Sequence, residues 1–180
     1  MSDETSSKTL DFPVAERFDR FARLGEQDTS ADRICAELAK LFRVKPDEVA
    51  LLKLEKGMLR FLFPPGLKTA GLIPLNGSAV AARTAATKST LLSNSFAKIK
   101  HVRIFEEVKT GITQSENPER MPIQKLMSAP ILDGQGNVLG AVQISRKAYD
   151  AGSAGSDFGS EDLKLLERAA GVIAGLEFIR

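Results

Sequence analysis

The sequence predicts an α+β fold, one antiparallel sheet framed by terminal helices. Two observations carry this. Pairs of apolar runs joined by turn formers occur twice, around Lys56-Gly57 and across Asp133–Asn137, as antiparallel hairpins do. Helical periodicity brackets them at both ends of the chain, and antiparallel strands with segregated helices define the α+β class.

Residues 1–12 are expected to be a polar, mobile tail, because they hold too little apolar surface to offset ordering entropy. A first helix is predicted from Pro13, with Val14, Phe18, Phe21 and Leu24 on one stripe and Gly25 as its end. The second is predicted from Thr29-Ser30-Ala31-Asp32, which has the form of a capping box, and carries Ile34, Leu38, Leu41 and Phe42 before Val44-Lys45-Pro46 stops it.

Val49–Leu54 and Met58–Phe63 then read as strands across Lys56-Gly57, closed by Pro64-Pro65-Gly66. Leu72–Leu75 is a short apolar piece before Asn76-Gly77. Ala, Val and Arg favour a helix from Ser78, its expected cap, to about Ala86. Leu91-Leu92-Ser93 suits a short strand, a short helix is placed from about Val102, and 110–122 reads as an exposed loop. Gln124–Leu132 and Val138–Arg146 are the second hairpin. Ala151–Ser156 reads as a flexible connection. Ser160 is expected to cap the last helix, whose first turn holds Glu161 and Asp162, where carboxylates suit the helix dipole.

That helix has two apolar stripes: Leu163, Leu166, Ala170 and Ile173, then Leu165, Ala169, Val172, Leu176 and Ile179. One stripe suffices to pack on a sheet, so the second implies another partner, either the first helix or a second subunit.

Composition excludes several function classes. The 25 basic and 23 acidic residues nearly cancel, so nothing favours nucleic acid or an anionic membrane surface. No apolar run approaches the roughly 20 residues of a membrane span, and the N-terminus lacks the pattern of an export signal, so the expected location is cytoplasmic. A single cysteine, Cys35, rules out an internal disulfide and any multi-cysteine metal site; in its apolar-periodic surroundings a buried structural thiol outweighs a reactive one. Gly134-x-Gly136-x-x-x-Gly140 lies between strands with the wrong spacing for a dinucleotide loop. Thr87-Lys88-Ser89 lacks the glycines of a phosphate loop.

Residues 127–147, with Ala-Pro-Ile-Leu-Asp-Gly-Gln-Gly-Asn-Val-Leu-Gly-Ala-Val at their centre, resemble the signature hairpin of GAF domains. Phe158-Gly159-Ser160-Glu161-Asp162-Leu163-Lys164-Leu165-Leu166-Glu167 is similar to the "FTxEDLxLLE" opening of that family's last helix. Ile73–Ala82 sits where the family has "G-x-A-x-x-V". The resemblance covers residues 13–180. It implies a GAF/PAS-like central antiparallel sheet of about six strands, terminal helices on one face, and a small-molecule pocket on the other, roofed by segments between Asn76 and Val108. It also implies a parallel homodimer through the terminal helices, which would use Leu165, Val172, Leu176 and Ile179.

By position in the family, the pocket would be lined from Ser93, Asn94, Phe96, His101, Phe105, Met127 and Gln143, each of which is equally compatible with core or surface. Apolar walls with a few amide and hydroxyl groups suit a small neutral or weakly polar ligand. His101, the sole histidine, lacks a second imidazole for a metal triad. It is left to orient a ligand or ligate a haem axially, weighed against a solvated residue between Lys100 and Arg103. The family's free methionine sulfoxide reductases rely on several cysteines, and its bilin-attaching members on a cysteine in the pocket region. The Asn-Lys…Phe…Asp-Glu pattern of its cyclic-nucleotide binders is only echoed by Phe105-Glu106-Glu107. The resulting expectation is a non-enzymatic sensor for an unidentified small molecule, signalling through dimerisation or a partner chain. The rivals are a ligand-free interaction module and a small enzyme using His101 with Glu106.

Overall fold

Lys56 and Gly57 both adopt positive φ, 51° and 76°, the twist a two-residue hairpin turn requires. They join β1 (Val49–Glu55) to β2 (Met58–Phe63), as the residue pattern predicts. The structure is a computed structural model and describes residues 13–98 and 121–180. The expected N-terminal tail, most of the 110–122 loop and the helix from Val102 lie outside the described residues.

β3 (Leu72–Pro74), β4 (Leu91–Ser93), β5 (Ile123–Leu132) and β6 (Val138–Lys147) complete a six-stranded sheet in the order β3-β2-β1-β6-β5-β4, antiparallel at every junction. Among the described residues four α-helices accompany it: α1 (Val14–Leu24), α2 (Ala31–Phe42), α3 (Val80–Thr87) and α4 (Ser160–Ala174). The central antiparallel sheet of about six strands expected from the hairpin and final-helix motifs is the one observed.

Strand alternation divides the sheet into two faces. The lateral row Leu92, Met127, Ile144 and Val49 points to one side, where it joins Phe21, Ile34, Leu38, Leu166 and Ile173 in the main core beneath α1, α2 and α4. Each such side chain contributes about 1.5–3 kcal/mol by leaving water. On the other face Leu52, Leu59, Ile73 and Ala141 pack under Ala81, Ala82 and Ala85 of α3. The sequence reading names Met127 as a pocket residue; its side chain is fully buried on the helical side instead.

The second stripe of α4 is internal. The helix ends at Ala174, earlier than the stripe predicts. Leu165 within it is buried, as are Leu176 just before and Ile179 within the 3₁₀ turn that follows. Val172 packs against Gly25 at the end of α1, so the first helix is a second partner. Leu165, Leu176 and Ile179 therefore offer no free face to a second copy, while Val172 is half-buried. Arg168 adds to the seam by lying 4.0 Å over the Phe18 ring. Gly25 does follow α1, but with φ −67° it needs no left-handed freedom. What it supplies is space, because a Cβ there would stand 2.5 Å from Val172 Cγ1.

Three cap assignments change. Ser30, not Thr29, caps α2, accepting the Arg33 N–H at 3.2 Å. Ala79 precedes α3 without a side-chain cap, so Ser78 does not serve. Gly159 stands at the cap of α4, and Asp162 Oδ2 accepts its N–H at 2.7 Å. The Ala151–Ser156 connection is tethered. Asp150 Oδ1 takes the Ser153 N–H at 2.8 Å, Lys125 Nζ donates to the Gly155 carbonyl, and Ala154 is buried.

Candidate binding site on the α3 face

The middle of the α3 face is polar. Leu91, Ser128, Gln143 and Ala50 lie side by side across β4, β5, β6 and β1. Above them Thr84 of α3 is buried, and its Oγ1 donates to Ser128 Oγ at 2.9 Å. Gln143 Nε2 donates to the same Ser128 oxygen at 3.4 Å. Ser128 has no exposure at all, so unpaired it would cost about 1–3 kcal/mol. The three side chains thus form one mutually dependent set.

The next row holds Ser93, Leu126 and Ser145. Phe96, in a single 3₁₀ turn (Phe96–Lys98), packs with Val80 and Leu126 as an apolar wall. Ser145 Oγ is committed to the Glu48 carbonyl at 3.2 Å, and Gln124 Nε2 to the Ala148 carbonyl at 2.9 Å. Ser93 and Gln143 remain half-buried. Among the described residues neither the Ser93 hydroxyl nor Gln143 Oε1 has a hydrogen-bond partner.

Of the seven residues named from the sequence, Ser93, Phe96 and Gln143 thus share this face. Asn94 does a different job. Its Nδ2 donates to the Phe158 carbonyl at 3.0 Å and its Oδ1 accepts the Phe158 N–H at 2.9 Å, tying the end of β4 to the approach of α4. Met127 lies on the opposite face, and His101 and Phe105 lie outside the described residues. Thr84 and Ser128 were missed. Ser128 could have been found from strand alternation, since it neighbours Met127 and must face the other way.

A cleft of about 590 Å³ lies on the helical side between the β5–β6 turn and the end of α4. Its polar lining is already occupied. The Asp133 carboxylate accepts the Gln135 N–H, the Asn137 N–H and the Asn137 side-chain amide at 2.8–3.0 Å, and Arg180 Nε donates to the Ala174 carbonyl. These bonds, with Asn137 the main contributor, hold the Asp133 carboxyl below the usual carboxylate range. Cys35 is fully buried in α2. Loss of hydration, reinforced by Asp32, pushes its thiol well above the ordinary value, so it stays protonated. Among the described residues no cluster of His, Cys, Asp and Glu could hold a metal, and no helix is long and apolar enough to cross a membrane.

Residues 26–175 match the family model of the GAF domain, and the chain belongs to that family. No curated protein matches it in sequence. Among solved structures it is similar to the GAF domain of an Acinetobacter phosphoenolpyruvate-protein phosphotransferase, at 12% identity and TM-score 0.66, covering 89% of this chain and 90% of that one. The corresponding domain from Coxiella burnetii gives 10%, 0.63, 89% and 90%. Reduced fRMsr of Staphylococcus aureus gives 16%, 0.57, 89% and 92%. At such identities the likeness is one of fold.

Proposed function

We propose that this GAF domain is a cytoplasmic regulatory sensor that binds a small molecule on the α3 face and passes the signal to a partner chain. The observation that carries the reading is the Thr84–Ser128–Gln143 set: a polar network built into an otherwise apolar floor, with half-buried Ser93 and Gln143 Oε1 unpaired among the described residues. Apolar surroundings with a few placed polar groups are what small-molecule sites use. Output through a second copy docked on Leu165, Leu176 and Ile179 is not part of this reading, because using those three would open the core.

We read the domain as a binder rather than a catalyst, although a structural relative carries the name fRMsr. The one thiol of the chain is buried and held protonated, the opposite of what a nucleophilic cysteine needs. Native mass spectrometry of gently ionised protein is the test. A discrete non-covalent mass, displaced by Thr84→Leu or Gln143→Leu, supports the sensor. A bare species that stays bare after incubation with cell metabolites favours the ligand-free interaction module.

A further inference from the structure

We infer that Asn76 is a modification site, where the chain rearranges with water as its only co-reactant, and that the turn from Pro74 to Gly77 gates the reaction. Glycine follows an Asn or an Asp twice, in Asn76-Gly77 and Asp133-Gly134. A glycine nitrogen is the least crowded backbone nucleophile, because no side chain shields it. Gly77 N gives its proton to solvent hydroxide and bonds to Asn76 Cγ. The Cγ–Nδ2 bond breaks, and Nδ2 takes a proton from water and leaves as ammonia. The product is a cyclic succinimide. Water then opens one of its two carbonyls, giving aspartate or isoaspartate, and nothing is oxidised or reduced.

The structure separates the two glycine sites. Asn76 is exposed on the link between β3 and α3. Asp133 is committed to its own turn, where its carboxylate accepts the Gln135 N–H, the Asn137 N–H and the Asn137 side-chain amide. Those bonds favour the ionised form, a poor electrophile. Asn94 and Asn137 are likewise held, by the Phe158 backbone and by Asp133.

The gate is one hydrogen bond. Gly77 N–H donates to the Pro74 carbonyl at 3.0 Å, so the nucleophile is engaged until this turn opens. Leu75 N–H, on the Gly57 carbonyl at 3.3 Å, ties the turn to the β1–β2 hairpin. Isoaspartate inserts a methylene into the main chain between the Cα of residue 76 and Gly77. Just beyond, Ala79, Ala81 and Ala82 are buried against Leu52, Leu59 and Ile73. The lengthened link must therefore loosen α3, whereas aspartate keeps the backbone and leaves α3 seated. Neither step depends on what the α3 face binds.

The test is incubation of the whole chain at mildly alkaline pH, native and in denaturant, with peptide mapping that separates aspartate from isoaspartate. Native protein is expected to form product at Asn76 ahead of every other Asn or Asp. The unfolded chain should form it at least about fivefold faster, the weight of one hydrogen bond. Amide exchange over Val80–Thr87 should quicken in the isoaspartate form. It should keep the wild-type rate in Asn76→Asp and in incubated Asn76→Gln, whose longer side chain closes the ring far more slowly. Equal native and unfolded rates would overturn the gate. Native product absent from Asn76, or forming first elsewhere, would overturn the site. Unaltered exchange in purified isoaspartate protein would overturn the effect on α3.

Discussion

Gly140 of β6 lies against the Leu52 carbonyl of β1 so closely that a Cβ at position 140 would overlap that oxygen, and would also stand 3.1 Å from the carbonyl carbon and 3.2 Å from Lys53 Cα. All three obstacles are backbone, at the centre of the sheet, where Leu52 pairs with Ala141 and Lys53 with Gly140. The family-like Leu-Gly-Ala-Val segment thus has a steric cause in this chain.

Gly140→Ala is accordingly expected to destabilise the fold by about 3 kcal/mol or more, since the strands must separate to admit the methyl group. Chemical denaturation checks this. A loss under 1 kcal/mol would mean that the β1–β6 pair yields more easily than its geometry implies.

Leu176→Asp distinguishes an internal from an intermolecular stripe. Leu176 is buried in the main core, so a carboxylate there should abolish cooperative melting. A soluble, fully folded monomer obtained from a wild-type dimer would instead place Leu176 at a subunit interface.

Asn94→Ala removes both hydrogen bonds to the Phe158 backbone and leaves those groups unpaired in a partly buried joint. A loss of about 1–3 kcal/mol is expected. Hydrogen exchange should quicken at Phe158 and in the first turn of α4 while the β5–β6 hairpin stays protected. Uniform acceleration across the molecule would argue against a local joint.

Acid sensitivity should be traceable to Asp133. Its folded carboxyl is held below the usual range, chiefly by the Asn137 bonds, so ionised Asp133 binds its proton more weakly folded than unfolded. Its contribution is present above the unfolded value of about 3.9 and fades as pH falls through the lower folded value. Asp133→Asn should lower stability near neutrality, where the contribution is fully present, and flatten the profile in that acid window. A mutant curve parallel to wild type throughout would remove Asp133 as a source.

The two hairpins, β1–β2 and β5–β6, and the short β4 are visible in the residue order because their cause is local, whereas Leu72–Leu75 reads only as a short apolar piece and becomes β3 by pairing with β2. Lys56-Gly57 and Asp133–Asn137 specify turns by their own backbone preferences, and alternation then assigns faces. Caps were less legible, since Thr29, Ser30, Ser78 and Ser160 are chemically able to cap and only the path of the chain selects Ser30. The candidate site was read in part. Ser93, Phe96 and Gln143 share its face, whereas Asn94 spends its amide on Phe158, and Thr84 becomes a floor partner of Ser128 only because α3 crosses that strand 44 residues away.

By itself, then, the sequence determined the α+β class, the two hairpins, the helical termini and the single inert thiol, since periodicity, turn chemistry and composition act within a few residues of chain. Only the tertiary structure decided that α1 covers the second stripe of α4, that Gly25 and Gly140 are spaces rather than bends, and that a hydroxyl on α3 meets one on β5. Those facts concern which distant surfaces touch, and contact between distant surfaces follows from the packing of the whole chain.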